Sequence, residues 1–528
     1  MEEVKYRWLP HLEDAVPPEG QGKRISTYTV SLEGWRRGLQ LNFYSIFEDG
    51  NKLKVRYSLS NEEKTHHFQL SMGDRVSQQA FDICDDKDLT KQYLNKDNVP
   101  VPHGKVFGKE DSEESMIEYG LSIGFPIVVK PTDGNAGKGV FANIQNETDF
   151  REIVPHVRDE LGFENIIVES YVSGEEFRIY VIEDEVIGAM NRRPANVTGD
   201  GVSSIRQLIH EKNRIRKINP HLTSRLIHVD KEIERILEES GYTLNAIPKE
   251  GELVYLREKS NLSTGGDAVN VTDQLTPEIC KIAIDAGKAI PGLSHYGVDM
   301  IVSDDRKKGV ILEVNSRPGI GGHLFPGKGE PIDFAKEIID YYFPDTKDVV
   351  RSNLYFDFDN VIKPIKTRSA SNVELIKPPT GKLYGRKLRV TGKFQVRPLR
   401  REIYSMARSL NLHGYIKEVE NNDLELVVVG PNEEDVSNFK KSCYDLPVDG
   451  TINQIEEEIW DKPIKIGFEI KNNKLTTAEV NQLLNNQEKL QRENAQITKR
   501  YEDVIRSKAW KATFPVRFIL QKIKHLFR

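Results

Sequence analysis

No run of about 18 or more apolar residues occurs anywhere in the 528-residue chain, so a conventional transmembrane helix is not expected. The amino terminus, Met1-Glu-Glu-Val-Lys-Tyr-Arg7, lacks the apolar core of a secretory signal, and the expected setting is the cytoplasm. Cysteine is scarce: Cys84, Cys280 and Cys443 stand far apart and show no metal-ligand spacing. That argues against a disulfide scaffold and a cysteine-bound zinc, and leaves buried free thiols in a reducing compartment. A strong charge bias is also missing, with 75 Lys and Arg against 81 Asp and Glu for a net charge of −6, which argues against nucleic acid as a partner. No Gly-Lys-Ser/Thr occurs, so any phosphate loop here is not of the P-loop type.

What is present reads as a multidomain protein of mixed α/β and α+β class, charged over 30% of its residues, with two to four domains expected from its length. Residues 1–84 read as β-rich, because Ser26-Thr-Tyr-Thr-Val-Ser-Leu32 and Lys52-Leu-Lys-Val-Arg-Tyr-Ser-Leu59 alternate at the strand period. Residues 85–345 alternate helical stretches with short β-branched strands such as Pro126-Ile-Val-Val-Lys130. Residues 346–384, closed by Pro378-Pro379-Thr380-Gly381, read as a linker. Residues 385–471 give strand, helix, two strands, helix, strand, which suits a small ferredoxin-like sandwich. From 472 onward the chain is polar and helical.

Three stretches carry chemistry. Lys130 ends an apolar strand and runs into Asp133-Gly-Asn-Ala-Gly-Lys-Gly-Val140. Glycines at 134, 137 and 139 let backbone N–H groups reach phosphate oxygens, and Lys130 and Lys138 add positive charge. The competing reading is a surface hairpin whose glycines serve only the turn. Second, Ile166-Ile-Val-Glu169 leads into Ser-Tyr171-Val172 and then Glu176, offering backbone groups to an adenine edge and an acid to ribose hydroxyls. Third, Asp299 lies in Tyr296-Gly-Val-Asp-Met-Ile-Val302, and Glu313 and Asn315 alternate on one face of Gly309-Val-Ile-Leu-Glu-Val-Asn315. These hard oxygen donors suit Mg²⁺ or Mn²⁺, and a carboxylate inside Val-Ile-Leu-Glu-Val is costly to bury without a cation.

In order, these stretches resemble the ATP-grasp superfamily from about Asp85 to Pro344, and within it the ATP-grasp module of cyanophycin synthetases. The resemblance also rests on Ala195-Asn-Val-Thr-Gly-Asp-Gly-Val-Ser-Ser-Ile205, Val254-Tyr-Leu-Arg257, Asn261-Leu-Ser-Thr-Gly-Gly266 and Glu313-Val-Asn-Ser-Arg-Pro-Gly319. It implies that Lys130 and an earlier helical lysine, Lys87 or Lys91, contact ATP phosphates. It further implies that Glu169 to Val172 form the adenine hinge, Glu176 the ribose acid, and Asp299, Glu313 and Asn315 the metal ligands. Arg257, Asn261 and the Ser263–Gly266 loop match the segment near the transferred phosphate and acceptor, and Arg317 the residue steadying an acyl phosphate. The implied activity is ATP- and magnesium-dependent joining of a small-molecule carboxylate to an amine through an acyl phosphate. The substrate would be an amino acid or an envelope polymer. The second half of a cyanophycin synthetase, with its own P-loop, has no counterpart, so cyanophycin is not the expected product and the resemblance leaves the substrates open.

Gly392-Lys-Phe-Gln-Val-Arg-Pro-Leu-Arg400 and Gly414-Tyr-Ile-Lys417 resemble an acylphosphatase. In that family a loop after the first strand cradles phosphate with an arginine at its end, where Arg400 falls. Glu418 replaces the expected catalytic asparagine and Val396 the loop glycine, so an anion-binding or structural module is the expectation. The alternative function is an acylphosphatase with a regulatory ATP-binding domain. Over 472–505, Val480, Leu483, Gln487, Leu490, Asn494, Ile497, Tyr501 and Val504 occupy the a and d positions of a heptad, with Asn494 at an a position, which predicts a homodimeric coiled coil or a helix packed on the body. Residues 506–528 carry seven Lys or Arg, no acid and interleaved aromatics, which suits an anionic membrane surface at the inner face of the membrane or a protein groove. Ser507–Arg517 is similar to a tail of bacterial glycosyltransferases of surface polysaccharide assembly, and this is the source of the envelope expectation.

Overall fold

The computed structural model describes residues 8–48, 52–132 and 139–471. The predicted heptad helix and basic tail therefore lie outside the described residues, as do the first seven. No described helix is long and apolar enough to cross a membrane.

The predicted strand at Ser26–Leu32 is instead the middle of a helix, Ile25–Arg36, buried on nearly every side. The alternation failed as a guide because the polar residues between the apolar ones need no solvent. Thr29 donates to the Ile25 carbonyl at 2.7 Å and Ser31 to that of Tyr28 at 3.0 Å, so both hydroxyls are satisfied within the helix. Beside it stands a five-stranded antiparallel sheet in the order Asn372–Glu374, Gln40–Glu48, Lys52–Ser60, Thr65–Gln69, Met72–Gly73.

The edge strand of that sheet corrects a second expectation. Residues 346–384 are not a linker. Leu354–Tyr355, the helix Phe358–Lys366 and Asn372–Glu374 belong to the amino-terminal unit, and Leu354, Phe356, Phe358 and Ile365 are buried in its core with Tyr28, Trp35 and Phe43. The aromatic residues explain this: a solvated linker would leave Phe356 and Phe358 in water, at a cost of about 1.5–3 kcal/mol each. The boundary at residue 84 also shifts, because Val76, Ala80 and Ile83 pack in the next core.

That next region holds two sheets. One is four-stranded, in the order Gly104–Phe107, Ile166–Ser170, Ile127–Pro131, Phe141–Ile144. The other is five-stranded, in the order Asp267–Asn270, Glu185–Arg193, Glu175–Ile182, His295–Val302, Gly309–Asn315. A small lobe of paired strands, Asn196–Thr198 and Leu253–Tyr255, with helices Ile205–Ile218 and Lys231–Glu239, has its own core.

The carboxy-terminal sheet runs Gly450–Ile459, Tyr384–Phe394, Leu424–Gly430, His413–Glu418, Phe468–Lys471, the last pair parallel. Leu424, Leu426 and Val428 face the helices Val396–Ser409 and Glu433–Tyr444, while Val427, Val429 and Tyr415 on the opposite face join the amino-terminal core. Leu354–Tyr355 also pairs in parallel with Ile464–Lys465. Both faces of this sheet are thus covered, and it is seated firmly on the amino-terminal unit. The cysteines are free, Cys443 buried and Cys84 and Cys280 half-buried.

Four histidines are withdrawn from water: His11, half-buried, and His221, His295 and His323, buried. Burial holds the first down to about 2 and the last two to about 3, and His221 well below its usual value. Each is bound neutral in the folded state and binds a proton when unfolded below about pH 6.5. The stability they contribute is therefore complete above pH 6.5 and falls as pH drops from there toward 3. Each titrating histidine should add about 1.4 kcal/mol of destabilisation per pH unit, read as a steep loss of Tm between pH 6.5 and 4.5.

Candidate active site

A narrow cleft lies between the two sheets and the helix Lys87–Lys96. Asp86 caps that helix by accepting from the backbone of Asp88 and Leu89, which fixes its start and puts Lys87 and Lys91 one turn apart on the cleft side. Leu94, Val101, Ile167 and Ile311 give the cleft an apolar wall suited to a flat ring, and Lys87, Lys91, Lys130 and Glu313 give it a charged one. Glu169 is buried between two lysines, 2.5 Å from Lys130 and 3.3 Å from Lys91. Burial, against the pull of Glu169, lowers the Lys91 pKa.

The Glu169 backbone is tied into the ladder between Gly104 and Val128, and its carboxylate is the counter-charge of both lysines. Tyr171 is exposed and its N–H is bound to the Pro126 carbonyl at 3.0 Å; Val172 is half-buried beside it. Gly139, at φ +74°, needs the absence of a side chain. Gly134, Gly137 and Lys138 lie outside the described residues.

On the larger sheet Arg178, Asp299 and Glu313 form one cross-strand row. Arg178 grips Asp299 with two bonds of 2.7 Å, and Arg192 adds a third at 3.1 Å. Burial pushes the Asp299 carboxyl up, yet the two arginines hold it below its ordinary value. Glu313 goes the other way: burial first, then Asp299, raises it, with Lys87 and the arginines opposing. Asn315 lies next on the same face, its Nδ2 buried without a partner, as is Arg192 Nε. Two carboxylates, one of them short of positive charge, and an unpaired amide make a set of hard oxygen donors that fits Mg²⁺. Among the described residues His11, Glu33 and Asp333 also cluster closely enough to hold a metal, but Arg37 and Arg351 already neutralise them.

The remaining predicted residues divide. Glu176 bonds Arg192 at 2.9 Å and Ser260, so it is engaged in this structure. Asn261 caps the turn Leu262–Thr264 by accepting from Ser263, and Gly265 follows at φ +104°. Arg257 does not point freely toward an acceptor: it is buried under that loop, paired with Asp230 at 2.6 Å and with Glu232, and donates to the Thr264 carbonyl. Arg317 lies over the Phe81 ring, 3.7 Å from Asp85. Arg400 is not at the end of a loop. The helix starts at Val396, directly after Gln395, and Arg400 falls within it. The replaced glycine explains this, since Val396 disfavours the left-handed backbone that a tight cradle uses and adopts helix instead. Glu418 is half-buried at the end of its strand.

Sequence reasoning missed Arg178 and Arg192, which stand closest to the metal-type acid. A basic residue inside Glu176-Phe-Arg-Ile-Tyr-Val181 was the available signal, because an arginine in a buried strand needs an anion.

A family model described as ATP-grasp domain matches residues 84–321, and one described as acylphosphatase matches 386–470. Cyanophycin synthetase of Trichormus variabilis is 37% identical over 331 residues, 60% of this chain and 35% of that protein. The glutathione biosynthesis bifunctional protein GshAB of Clostridium perfringens is 32% identical over 332 residues, 60% of this chain and 41% of that protein. The chain thus spans little more than a third of the length of these curated relatives. A bifunctional glutathione synthetase from Pasteurella multocida is similar in structure at 27% identity and a TM-score of 0.44, over 57% of this chain and 41% of that one.

Proposed function

We propose, for a chain that carries an ATP-grasp domain over 84–321 and an acylphosphatase-family domain over 386–470, that it is an ADP-forming carboxylate–amine ligase. The observation that carries this reading is the convergence of Lys87, Lys91, Lys130 and Glu313 on one cleft, with Asp299 across the strand pair from Glu313. Phosphoryl transfer asks for cations where negative charge moves and little covalent help from protein, and this cleft is built that way.

In the proposed sequence the lysines hold the ATP phosphates against the apolar wall. Asp299, Glu313 and Asn315 would hold Mg²⁺, which supplies charge neutralisation between the nucleotide phosphates. A substrate carboxylate attacks the γ-phosphorus, ADP leaves, and an amine then displaces phosphate from the acyl phosphate to give an amide. Arg178 and Arg192 are placed to stabilise the oxygens of the transferred group once Asp299 turns to a metal. Arg257 and Asn261 hold the shape of the Ser263–Gly266 loop, and Arg317 flanks the strand end that carries Asn315. Amino acids or peptides are the proposed substrate class, following the names of the relatives. The envelope setting and membrane contact rested on residues 506–528, which lie outside the described residues, and are not carried further.

The alternative, an acylphosphatase with a regulatory ATP domain, has Glu418 and the helical Val396 against it. The carboxy-terminal unit is proposed as a structural module of the ligase. Incubation with ATP, Mg²⁺ and pools of amino acids should release ADP together with an amide detected by mass. AMP as product, or hydrolysis of acetyl phosphate faster than ATP turnover, would defeat this assignment.

A further inference from the structure

The strands Thr65–Gln69 and Met72–Gly73 of the amino-terminal sheet are joined by only two residues, Leu70 and Ser71. Leu70 stands at φ +57°, in the left-handed region where such short turns ordinarily place glycine, and its side chain is exposed. A leucine gains nothing from that backbone by itself, so the turn is kept there by what surrounds it. Tyr57 holds one side, donating to the Leu70 carbonyl at 2.7 Å. Ser71 holds the other. It is fully buried, and its hydroxyl donates to the Pro318 carbonyl at 2.6 Å, across 247 residues of sequence.

Pro318 lies three residues beyond Asn315, in the segment 316–320 that also carries Arg317. It packs on Gly297, where an added Cβ would stand 2.7 Å from Pro318 Cβ. Gly297 is the ladder partner of Asn315 and precedes Asp299 by two residues on the strand His295–Val302. At the start of that strand His295 is buried, and its Nε2 accepts from the Gly73 N–H at 3.3 Å. Ser71 and Gly73 therefore grip both segments that bring the metal-type oxygens together, one at the start of the Asp299 strand and one just after Asn315. Ser26, on the buried helix Ile25–Arg36, secures the far end of segment 316–320 by accepting from the Ile320 N–H at 3.2 Å.

We propose that Ser71 is a positioning residue of the phosphoryl-transfer site: its bond to Pro318, backed by that of Ile320 to Ser26, fixes segment 316–320 and with it the directions of Asn315 and Arg317. This rests on the ligase reading and gives the amino-terminal unit a part in it. Lys87, Lys91 and Lys130, which would hold the nucleotide phosphates, lie on other elements, the helix Lys87–Lys96 and the strand Ile127–Pro131. Loosening segment 316–320 should therefore weaken the metal step and leave nucleotide contact as it is.

The test compares the full chain with Ser71→Ala, Ser26→Ala and a control, Ser45→Ala, which removes an exposed hydroxyl that donates to the Ser371 carbonyl at 3.3 Å. One readout is the midpoint of the Mg²⁺-dependent rise in Tm with a non-hydrolysable ATP analogue present. The other is kcat and KM for ATP in ADP release with pools of amino acids. Ser71→Ala should raise the Mg²⁺ midpoint about tenfold and lower kcat by a similar factor. Its KM for ATP, and the affinity of the analogue in EDTA, should stay those of the unaltered protein. Ser26→Ala should move both readouts in the same direction, and Ser45→Ala should move neither. If Ser71→Ala does not fold, Ser26→Ala decides by the same measurements. A fall in Tm with the Mg²⁺ midpoint and kcat unchanged makes the Ser71 bond a support of the fold alone and overturns the proposal. An analogue affinity that falls equally with and without Mg²⁺ overturns it as well, because the loss is then not at the metal step. Absence of Mg²⁺-dependent ADP release from the unaltered protein overturns the ligase reading instead, and the positioning role with it.

Discussion

Glu313→Gln should abolish Mg²⁺-dependent ADP release, by at least about 100-fold or ~2.7 kcal/mol, without lowering Tm. The two halves of that result have one cause. Glu313 is half-buried beside Asp299, and burial with that like charge raises its pKa, so the carboxylate is an unfavourable group in the folded protein. Gln has the same shape without the charge, and the folded state gains or holds its stability. Catalysis depends on the charge, because it is one of the hard oxygen donors proposed to hold the metal against the nucleotide phosphates. ADP release measured across a Mg²⁺ titration, beside a thermal melt of each protein, reads both. Unchanged turnover in the variant would remove Glu313 from the proposed metal set, and a collapse of Tm would show that the carboxylate supports the fold.

The parts of the site that sequence reading reached were those whose chemistry is written along a single strand. Glu313 and Asn315 alternate on Gly309–Asn315, and that spacing is enough to put both on one face. Lys130 at the end of an apolar strand was legible for the same reason. What could not be read was pairing between segments distant in sequence. That Glu169 is a counter-charge for Lys91 and Lys130 depends on three elements meeting, and nothing in Ile166-Ile-Val-Glu169 alone reveals it. Arg178 faces Asp299 from a strand 121 residues away.

The fold errors have a related origin. The helix Ile25–Arg36 alternates like a strand because it is buried all round, and a segment without a wet face carries no helical stripe. Residues 346–384 read as a linker from their prolines and short elements, yet their aromatic residues complete a core begun 300 residues earlier, with Phe356 and Phe358 against Tyr28. In the carboxy-terminal unit the element order was visible, while the burial of its second face by Tyr415, Val427 and Val429 depended on a partner that its own sequence does not contain. That second contact bears on the proposed function: a module held on both faces fits a fixed part of the proposed ligase better than a tethered second enzyme.

Arg178→Met should cost about 3–5 kcal/mol of stability in the metal-free protein, the penalty for leaving a buried carboxylate without its main partner. Asp299 would retain only the single contact from Arg192, with Glu313 beside it across the strand pair. Its carboxyl pKa, now held low against burial, should then rise. The sign of the pH dependence follows: a group whose folded pKa lies above its unfolded value destabilises the folded state only above the unfolded pKa. The gap in Tm between Arg178→Met and the unaltered protein should therefore be small near pH 4 and widen toward pH 7. Mg²⁺ should narrow it at pH 7 if Asp299 is a metal ligand, since the ion replaces the missing positive charge in the variant while it must displace an arginine in the unaltered protein. Melts at pH 4 and pH 7, with and without Mg²⁺, separate the ion pair from the metal site. A gap independent of pH would mean that Arg178 stabilises by packing alone, and a gap indifferent to Mg²⁺ would take Asp299 out of the proposed ligand set.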